Sequence, residues 1–392
     1  MLVLGGLSVI VSVLSLPSTL PNFAAKQVPL LVAFTAVIVV GRLSWLRGAL
    51  LAFQEFMITM VVCYLVLATI STMSQMRRLG IVLGLSSLFL ALQGIAAMRL
   101  GFRPDLFIIE QSTEQAEVFL YRIRALGFFA DPNDLAQALL VSMPIIGLAW
   151  KKRRFIRNVL LVLVPFGIIL YGIYLTRSRG AIVGLAVLAL LMLQRRTGKL
   201  VALGMTGALV LGIIALDFTG GRGFSTGESS ASARIDAWYA GIEMLRSSPI
   251  LGVGYGQFTE FHERTAHNSF VLCFAELGLV GYFLWIAILI VTIRDLAPVA
   301  RKDAPYDEDV RRWAGAIQLS LYVFLATAWF LSRTYVVTLY LLIAMAIVVV
   351  KFAHRGKVAD ESVRLPWWMV TGFAQGITIF VVWLTVRLRR FT

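Results

Sequence analysis

The sequence is poor in charged residues and in cysteine, and each shortage excludes a class of protein. Only 15% of the 392 residues are charged, against about a quarter in a typical soluble domain, while 59% are hydrophobic. The two cysteines, Cys63 and Cys273, lie inside apolar segments and are too few for a disulfide framework or a cysteine-based metal site. An ordinary soluble enzyme and a disulfide-rich secreted domain are therefore excluded.

Long apolar runs occupy most of the chain, near residues 2–16, 28–41, 49–71, 78–98, 132–150, 158–175, 180–194, 200–217, 268–293, 313–331, 334–350 and 366–386. Since about 20 residues cross a bilayer as a helix, these runs predict an all-α polytopic membrane helix bundle of about 11 to 12 transmembrane helices. We expect residues 1–392 to form a single membrane domain. Its largest loop, residues 218–267, is expected to contain short amphipathic helices.

The net charge of +15 is concentrated in short gaps between the apolar runs. The positive-inside rule assigns such turns to the cytoplasm, and they occur at residues 151–157, 195–199, 294–312 and 351–364. The basic residues therefore indicate a lipid bilayer, and not a nucleic acid, as the partner. The loops between these turns, the largest loop included, are predicted to lie on the outer face.

The tetrapeptide Asp131-Pro132-Asn133-Asp134 opens one of the apolar runs. A capping aspartate, a proline at the first helical position and acids at the positive helix end are typical of a helix N-terminus. The alternative is a glycan contact, in which Asn133 or Asp134 hydrogen-bonds a sugar. The sequence leaves both interpretations open.

Two arginines, Arg177 and Arg179, stand between two adjacent apolar runs on the predicted outer face. Contact with lipid headgroups is one interpretation, because arginines often reach the interface from helix ends. The positive-inside rule disfavours arginine on this face, however. A guanidinium can bind phosphate through two parallel hydrogen bonds, so we expect a phosphate-bearing partner such as a diphosphate.

An amphipathic helix is predicted within the largest outer loop, with Arg234 at its start. One apolar stripe at helical spacing runs along it, made of Ile235, Trp238, Tyr239, Ile242 and Leu245. We expect this helix to lie on the membrane surface. It could act as a lid packed over the bundle or as a gate for substrate.

A glycine-rich turn follows this helix at residues 248–258. A dinucleotide-binding fold is excluded, because no strand precedes the glycines and no βαβ unit follows them. The sequence Val253-Gly254-Tyr255-Gly256 echoes a potassium-channel filter only weakly, since the chain has far more spans than a pore module needs. We expect a tight turn that shapes an outer pocket.

His267 begins the next apolar run, and its imidazole can take or give a proton near neutral pH. Capping of the helix or anchoring at the interface is the alternative. Glu276 lies about 13 Å further along the helix and half a turn round it, so it cannot orient the imidazole. We expect Glu276 to pair with a residue on another helix, and Gly278 and Gly281 to form a flat packing surface.

The order of these motifs resembles the bacterial O-antigen ligase and O-antigen polymerase superfamily. His267-Asn268, nine further residues and then Gly278-Leu279-Val280-Gly281 are similar to the signature of that family. Three more landmarks follow the same order: Asp131-Pro132-Asn133-Asp134, Ser178-Arg179-Gly180, and Arg234-Ile235-Asp236-Ala237-Trp238 with the glycine-rich turn. The resemblance covers roughly residues 125–350.

The resemblance implies an inverting glycosyltransferase of the GT-C-like membrane class. Such an enzyme moves a glycan from undecaprenyl diphosphate to a hydroxyl of a glycan, lipid or protein acceptor, at the periplasmic face of the bacterial inner membrane. It implies that no metal or other cofactor takes part. By the same resemblance, Arg179 and Arg234 bind the diphosphate, and His267 deprotonates or orients the acceptor hydroxyl. Arg177 is a second-rank candidate for diphosphate binding.

The residues suit this chemistry on physical grounds as well. A diphosphate is a good leaving group, so guanidiniums can take up its charge without a metal. The predicted outer loops contain no Asp-x-Asp sequence of the kind that binds a metal ion.

A polytopic membrane transporter of a small or lipid-linked solute is the competing hypothesis. Intramembrane polar residues such as Glu55, Gln137 and Glu276 would suit a solute pathway. That hypothesis predicts an internal repeat with paired broken helices near the midplane of the membrane. The sequence shows no such repeat, and its unusual residues concentrate at one face.

Overall fold

The computed structural model describes residue 15 and residues 18–43, 46–112, 119–215, 229–354 and 365–390. Its longer helices are α1 (Gln27–Val40), α2 (Leu46–Thr69), α3 (Met73–Leu100), α4 (Pro132–Gly147), α5 (Val164–Leu175), α6 (Arg179–Thr197), α7 (Lys199–Ala215), α8 (Ser229–Ser247), α9 (Ser269–Val299), α10 (Glu308–Ala328), α11 (Val337–Ala353) and α12 (Trp367–Arg390). Short helical segments lie at Pro104–Phe107, Gly127–Phe129, Phe155–Asn158, Val159–Leu163 and Phe258–Phe261. A hairpin pairs β1 (Ile108–Ser112) with antiparallel β2 (Phe119–Ile123).

The predicted polytopic membrane helix bundle is confirmed. Within the described residues, five helices are long and apolar enough to cross a bilayer: Leu46–Thr69, Met73–Leu100, Phe155–Leu175, Ser269–Val299 and Trp367–Arg389. Shorter apolar helices lie at Gln27–Val40, Arg179–Gln194, Lys199–Ile213 and Val337–Ala353. Each predicted run from 28–41 onward coincides with a helix, while nearly all of the first run, 2–16, lies outside the described residues. The total number of crossings stays a prediction.

The described residues form two compact units, each built from discontinuous stretches of chain. The first unit draws on Met1–Gln75, Ser225–Gly315 and Ala328–Thr392. The second draws on Met76–Phe224 and Ala316–Thr327. The single membrane domain of residues 1–392 stays a prediction.

The first unit is built around α9. This helix packs against α1, α8, α11 and α12. Of its most apolar window, 72% is buried, against 17–33% for the other four long apolar helices. A helix that is apolar on all sides is expected at the centre of a bundle, because every face must be covered. The start of α9 carries His267 and Asn268, so this central helix fixes their position.

In the second unit, α4 packs against α5 and α6. Two hydrogen bonds also join α4 to the 316–327 segment of α10. Gln137 Nε2 donates to Thr327 Oγ1 at 2.7 Å, and Ser320 Oγ donates to the Val141 carbonyl at 2.7 Å. Such bonds contribute to helix association where lipid removes the hydrophobic driving force. These bonds give Gln137 a structural role. In the same unit, β2 packs against α5.

Two segments that were predicted to lie on the outer face differ from the expectations. The loop at residues 99–131 contains the hairpin, which suits the β-branched and aromatic residues of β2. The predicted loop helix is present as α8, but it buries Trp238 and Ile242 and packs against α9. The stripe therefore covers protein, as the lid alternative proposed. Residues 216–228 of this loop region lie outside the described residues.

Candidate functional site

Residues 176–180 form the tight connection between α5 and α6, and we call them the arginine turn. Thr176 is fully buried, and its Oγ1 donates to the Ile173 carbonyl at 2.6 Å, which fixes the end of α5. The guanidinium carbon of Arg177 lies 4.1 Å from the ring centroid of Tyr174, a cation–π contact. Arg179 is the first residue of α6. The two guanidiniums thus project from adjacent helix ends, as the sequence predicted.

Arg177 has a left-handed backbone conformation, with φ of +50°. A non-glycine residue there is held at a cost of about 1–3 kcal/mol, and such residues concentrate at functional sites. Among the described residues, the non-glycine positions with positive φ are Arg103, Arg153, Arg177 and His267. Two of these four, Arg177 and His267, are candidate site residues.

Arg122 of β2 contacts the arginine turn directly. Its Nε donates to the Thr176 carbonyl at 2.8 Å, its Nη1 donates to Gln111 Oε1 at 3.0 Å, and its Nη2 donates to Asn133 Oδ1 at 3.1 Å. All three acceptors are neutral oxygens. One guanidinium therefore joins the hairpin, the arginine turn and the start of α4.

The charge on Arg122 is unusual, because only 5% of the residue is exposed. Burial lowers the pKa of Arg122 to about 10, while nearby Asp131 raises it and nearby Arg179 lowers it further. The guanidinium therefore stays charged at neutral pH. Arg122 and Arg179 are thus two cations near a single carboxylate, that of Asp131, which leaves one positive charge that an anion would offset.

The start of α4 confirms the predicted helix cap. The carboxylate of Asp131 accepts a hydrogen bond from the Asn133 backbone N–H at 2.7 Å, and Pro132 occupies the first turn. Asp134 is buried, with 5% of its surface exposed. Asn133 is half-buried, and its side-chain oxygen is bound to Arg122. A glycan contact by Asn133 or Asp134 stays a prediction.

His267 immediately precedes α9 and has φ of +48°, also in the left-handed region. Asn268 caps the helix instead, since its Oδ1 accepts from the N–H groups of Phe270 at 2.8 Å and Val271 at 3.1 Å. The capping function that the sequence allowed for His267 thus belongs to its neighbour. His267 is half-buried and directly precedes the central helix of its unit.

The backbone around His267 is held by hydrogen bonds to residues 331–334. Ser269 Oγ donates to the Leu331 carbonyl at 2.6 Å, and Thr334 Oγ1 donates to the Ser269 carbonyl at 2.7 Å. Thr265 Oγ1 donates to Ser332 Oγ at 2.8 Å on the other side of the histidine. The strained residue is therefore fixed on both flanks.

Helix α8 reaches the same segment. Trp238 Nε1 donates to the Ala266 carbonyl at 3.1 Å, next to His267 in the chain. Arg234 lies one helical turn before Trp238 on α8 and is half-buried. The structure therefore brings the helix that carries Arg234 and the segment that carries His267 together in the first unit.

Helix α9 is interrupted at Gly278, where φ is +63° and ψ is −165°. Backbone groups freed by the break bond to residues 249–254 of the glycine-rich turn. The Gly254 N–H donates to the Glu276 carbonyl at 2.8 Å, and the Leu279 N–H donates to the Pro249 carbonyl at 2.8 Å. A Cβ on Gly252 would lie 2.3 Å from the Glu276 carbonyl carbon, so only glycine fits.

One expectation about this helix needs correction. Gly278 breaks the helix and admits a loop, and is not simply a flat packing surface. Glu276 was expected to pair with a residue on another helix, and its Oε1 accepts from the backbone N–H of Phe258, the first residue of the short helical segment Phe258–Phe261, at 3.1 Å. Both residues hold the glycine-rich turn against α9, which stabilises the chain that leads to His267.

The candidate residues divide between the two units. Arg177, Arg179, Asn133 and Asp134 belong to the second, and Arg234 and His267 belong to the first. Sequence reasoning missed Arg122, because its partners are distant in the chain. The aromatic and β-branched residues at 119–123, which are typical of a strand, were the available signal. Within the described residues, no group of three or more His, Cys, Asp or Glu side chains is placed to hold a metal ion.

Comparison with known families agrees with the resemblance seen in the motifs. Residues 164–286 match the family model described as O-antigen ligase. The matched stretch includes Arg177, Arg179, Arg234 and His267, whereas Arg122 and Asn133 lie before it. No curated protein matches the chain at a significant level.

Proposed function

We propose that this protein is an inverting, metal-independent glycosyltransferase. The premise is that the match at residues 164–286 supports assignment to the O-antigen ligase and polymerase superfamily. Its donor is a glycan carried on undecaprenyl diphosphate. Its acceptor is a hydroxyl of a glycan, lipid or protein, and transfer takes place at the periplasmic face of the bacterial inner membrane.

The observation that carries this proposal is the concentration of guanidiniums at the arginine turn. Arg177 and Arg179 start from adjacent helix ends, and the charge of Arg122 lies close to that of Arg179. Arg177 is also strained, which a headgroup anchor at a helix end has no need to be. A diphosphate offers the charge and the paired oxygens that such a group of arginines would bind.

The proposed chemistry is a single displacement. The acceptor oxygen attacks the anomeric carbon of the donor sugar and forms the new glycosidic bond. The bond from that carbon to the diphosphate oxygen breaks, and its electron pair leaves with the diphosphate. His267 takes the proton of the attacking hydroxyl, while Arg179, Arg234 and Arg177 offset the charge on the departing diphosphate.

The interruption of α9 is the feature that comes closest to the transporter hypothesis. That hypothesis predicts interrupted helices whose free backbone groups bind a solute or an ion. At Gly278 the backbone groups bond to the glycine-rich turn of the same unit. The break therefore supports a rigid scaffold and gives no specific support to transport.

A reconstituted reaction tests the proposal. Purified protein is mixed with undecaprenyl-diphosphate-linked glycan and a panel of acceptors, with and without a metal chelator, and the products are separated by size. We expect transfer that survives the chelator and is lost in His267→Ala. A ladder of products would indicate polymerisation and a single increment ligation, whereas no transfer to any acceptor by well-folded protein would contradict the proposal.

A further inference from the structure

We propose that Arg122 is a positioning residue: it orients the Asn133 side chain so that the Asn133 amino group donates a hydrogen bond to the diphosphate of the donor substrate. The inference rests on the proposed function for the identity of that substrate. It gives Asn133 a specific contact in place of the general sugar contact that the sequence suggested, and it assigns a role to an arginine outside the matched family region.

The first step is the orientation of the Asn133 amide. A guanidinium has only N–H donors, so the group that faces Arg122 must be the amide oxygen. This is the arrangement observed, with Arg122 Nη2 donating to Asn133 Oδ1 at 3.1 Å. The backbone N–H of Asn133 is also engaged, since it donates to Asp131 at 2.7 Å. The remaining polar group of the Asn133 side chain is the Nδ2 amino group, which can only donate.

The second step is the rigidity of Arg122 itself. Its two other hydrogen bonds go to the Thr176 carbonyl and to Gln111 Oε1, from the arginine turn and from β1. The residue is almost fully buried, so its side chain cannot exchange these partners for water. Asn133 is therefore held by a support that also fixes the residue before Arg177.

The third step is the charge at this place. Arg179 lies close enough to Arg122 to disfavour its protonated form, so two guanidiniums share the region with the Asn133 donor. Asp131 is the nearby opposite charge, and its carboxylate is used by the Asn133 backbone. Two cations and one carboxylate leave a net positive charge beside this N–H donor, which suits an anionic oxygen that a diphosphate supplies and a sugar hydroxyl does not.

Asn133→Asp gives a sharp test, because the new side chain has nearly the same shape. Its carboxylate can still accept from Arg122, now as an ion pair, so the support of the turn is kept. The donor is lost and a negative charge takes its place. We expect the dissociation constant for undecaprenyl diphosphate to rise by roughly 10- to 100-fold, the usual value of a hydrogen bond to a charged group.

The binding of undecaprenyl diphosphate, undecaprenol and free glycan is measured on the full chain in detergent, together with the melting temperature. Asn133→Ser is a second variant, in which a hydroxyl of shorter reach, with a single O–H donor, replaces the amide. Arg122→Lys removes the planar fork that orients Asn133, and Arg124→Lys is its matched control, since Arg124 donates to the backbone carbonyls of Leu106 and Asp105. We expect weaker diphosphate binding in the first three variants, unchanged undecaprenol binding throughout, and wild-type behaviour in Arg124→Lys.

Three results would overturn the inference. The first is wild-type affinity for undecaprenyl diphosphate in folded Asn133→Asp and Asn133→Ser, and the second is a defect confined to free glycan. The third is a wild-type protein that does not bind undecaprenyl diphosphate. Failure of the proposed function is distinct, because a protein that binds the diphosphate through Asn133 and transfers no glycan would contradict only the reaction.

Discussion

Replacement of His267 by asparagine separates the chemistry of this residue from its backbone strain. The residue has φ of +48°, which costs a side chain with Cβ about 1–2 kcal/mol. Asparagine adopts this conformation several times more readily than most residues. Histidine shares this preference and alanine does not, so His267→Ala should add to the strain, whereas His267→Asn leaves it about unchanged. Both variants remove the imidazole.

Loss of the imidazole lowers the transfer rate, whereas backbone strain lowers the stability, and the sizes of these two effects can be compared. Loss of a general base lowers the transfer rate by about 10²- to 10⁴-fold. At about 1.4 kcal/mol for each factor of ten, this corresponds to about 3–5 kcal/mol of transition-state stabilisation. The larger strain of alanine at this position should make the asparagine variant about 1 kcal/mol more stable than the alanine variant. Contacts of the imidazole are lost in both, so they largely cancel in this comparison.

The assay combines single-turnover transfer from undecaprenyl-diphosphate-linked glycan with thermal unfolding in the same detergent. We expect His267→Asn to be as inactive as His267→Ala and to melt at a higher temperature. Transfer by the asparagine variant at more than about a tenth of the wild-type rate would remove the proposed base role. A lower melting temperature than that of alanine would refute the strain argument.

The remaining predictions concern the arginines and the glycine-rich turn. Arg177→Gly should relieve the left-handed backbone strain and remove a cation. We therefore expect an unchanged or higher melting temperature and a raised KM for the donor substrate. An unchanged KM would leave Arg177 without a binding role. Arg179→Lys and Arg234→Lys keep the charge and lose the bidentate fork, so slower transfer is expected in each, and full activity in both would reduce them to interface anchors. Gly252→Ala is compared with Gly256→Ala, because the two glycines have φ of +69° and +68° but only a Cβ at 252 meets the backbone of α9. Thermal unfolding should show Gly252→Ala to be less stable by about a further 1–3 kcal/mol, and equal stability of the two variants would contradict the role given to the break.

The helices themselves could be predicted from the sequence because their signals are local. Apolar runs predicted each of the longer described helices except α8, which its amphipathic stripe predicted, and Asp131-Pro132 marked the start of α4 correctly. The alternative in which His267 caps α9 was wrong, since Asn268 caps this helix. Capping depends on backbone geometry, which adjacent polar residues do not distinguish in a sequence.

The hairpin and the interruption of α9 could not be predicted with the same rules. Five-residue strands carry a weak periodic signal inside a polar loop, and β2 is recognisable mainly through its contacts. Gly278 reads as a packing glycine in the sequence, because a break in a helix is stable only when another segment satisfies the freed backbone groups. Residues 249–254 supply those groups.

The sequence alone determined that this is a polytopic membrane protein, and it placed Arg177, Arg179 and His267 at helix ends, whereas Arg234, expected at the start of the loop helix, lies inside α8. Composition and hydrophobic period act over a few residues, so they need no knowledge of the fold. Only the tertiary structure decided that Arg122 is bound to Thr176 and Asn133, and that His267 and Arg177 are strained. These facts depend on segments that are distant in the chain and meet only after packing, where burial and charge act through space.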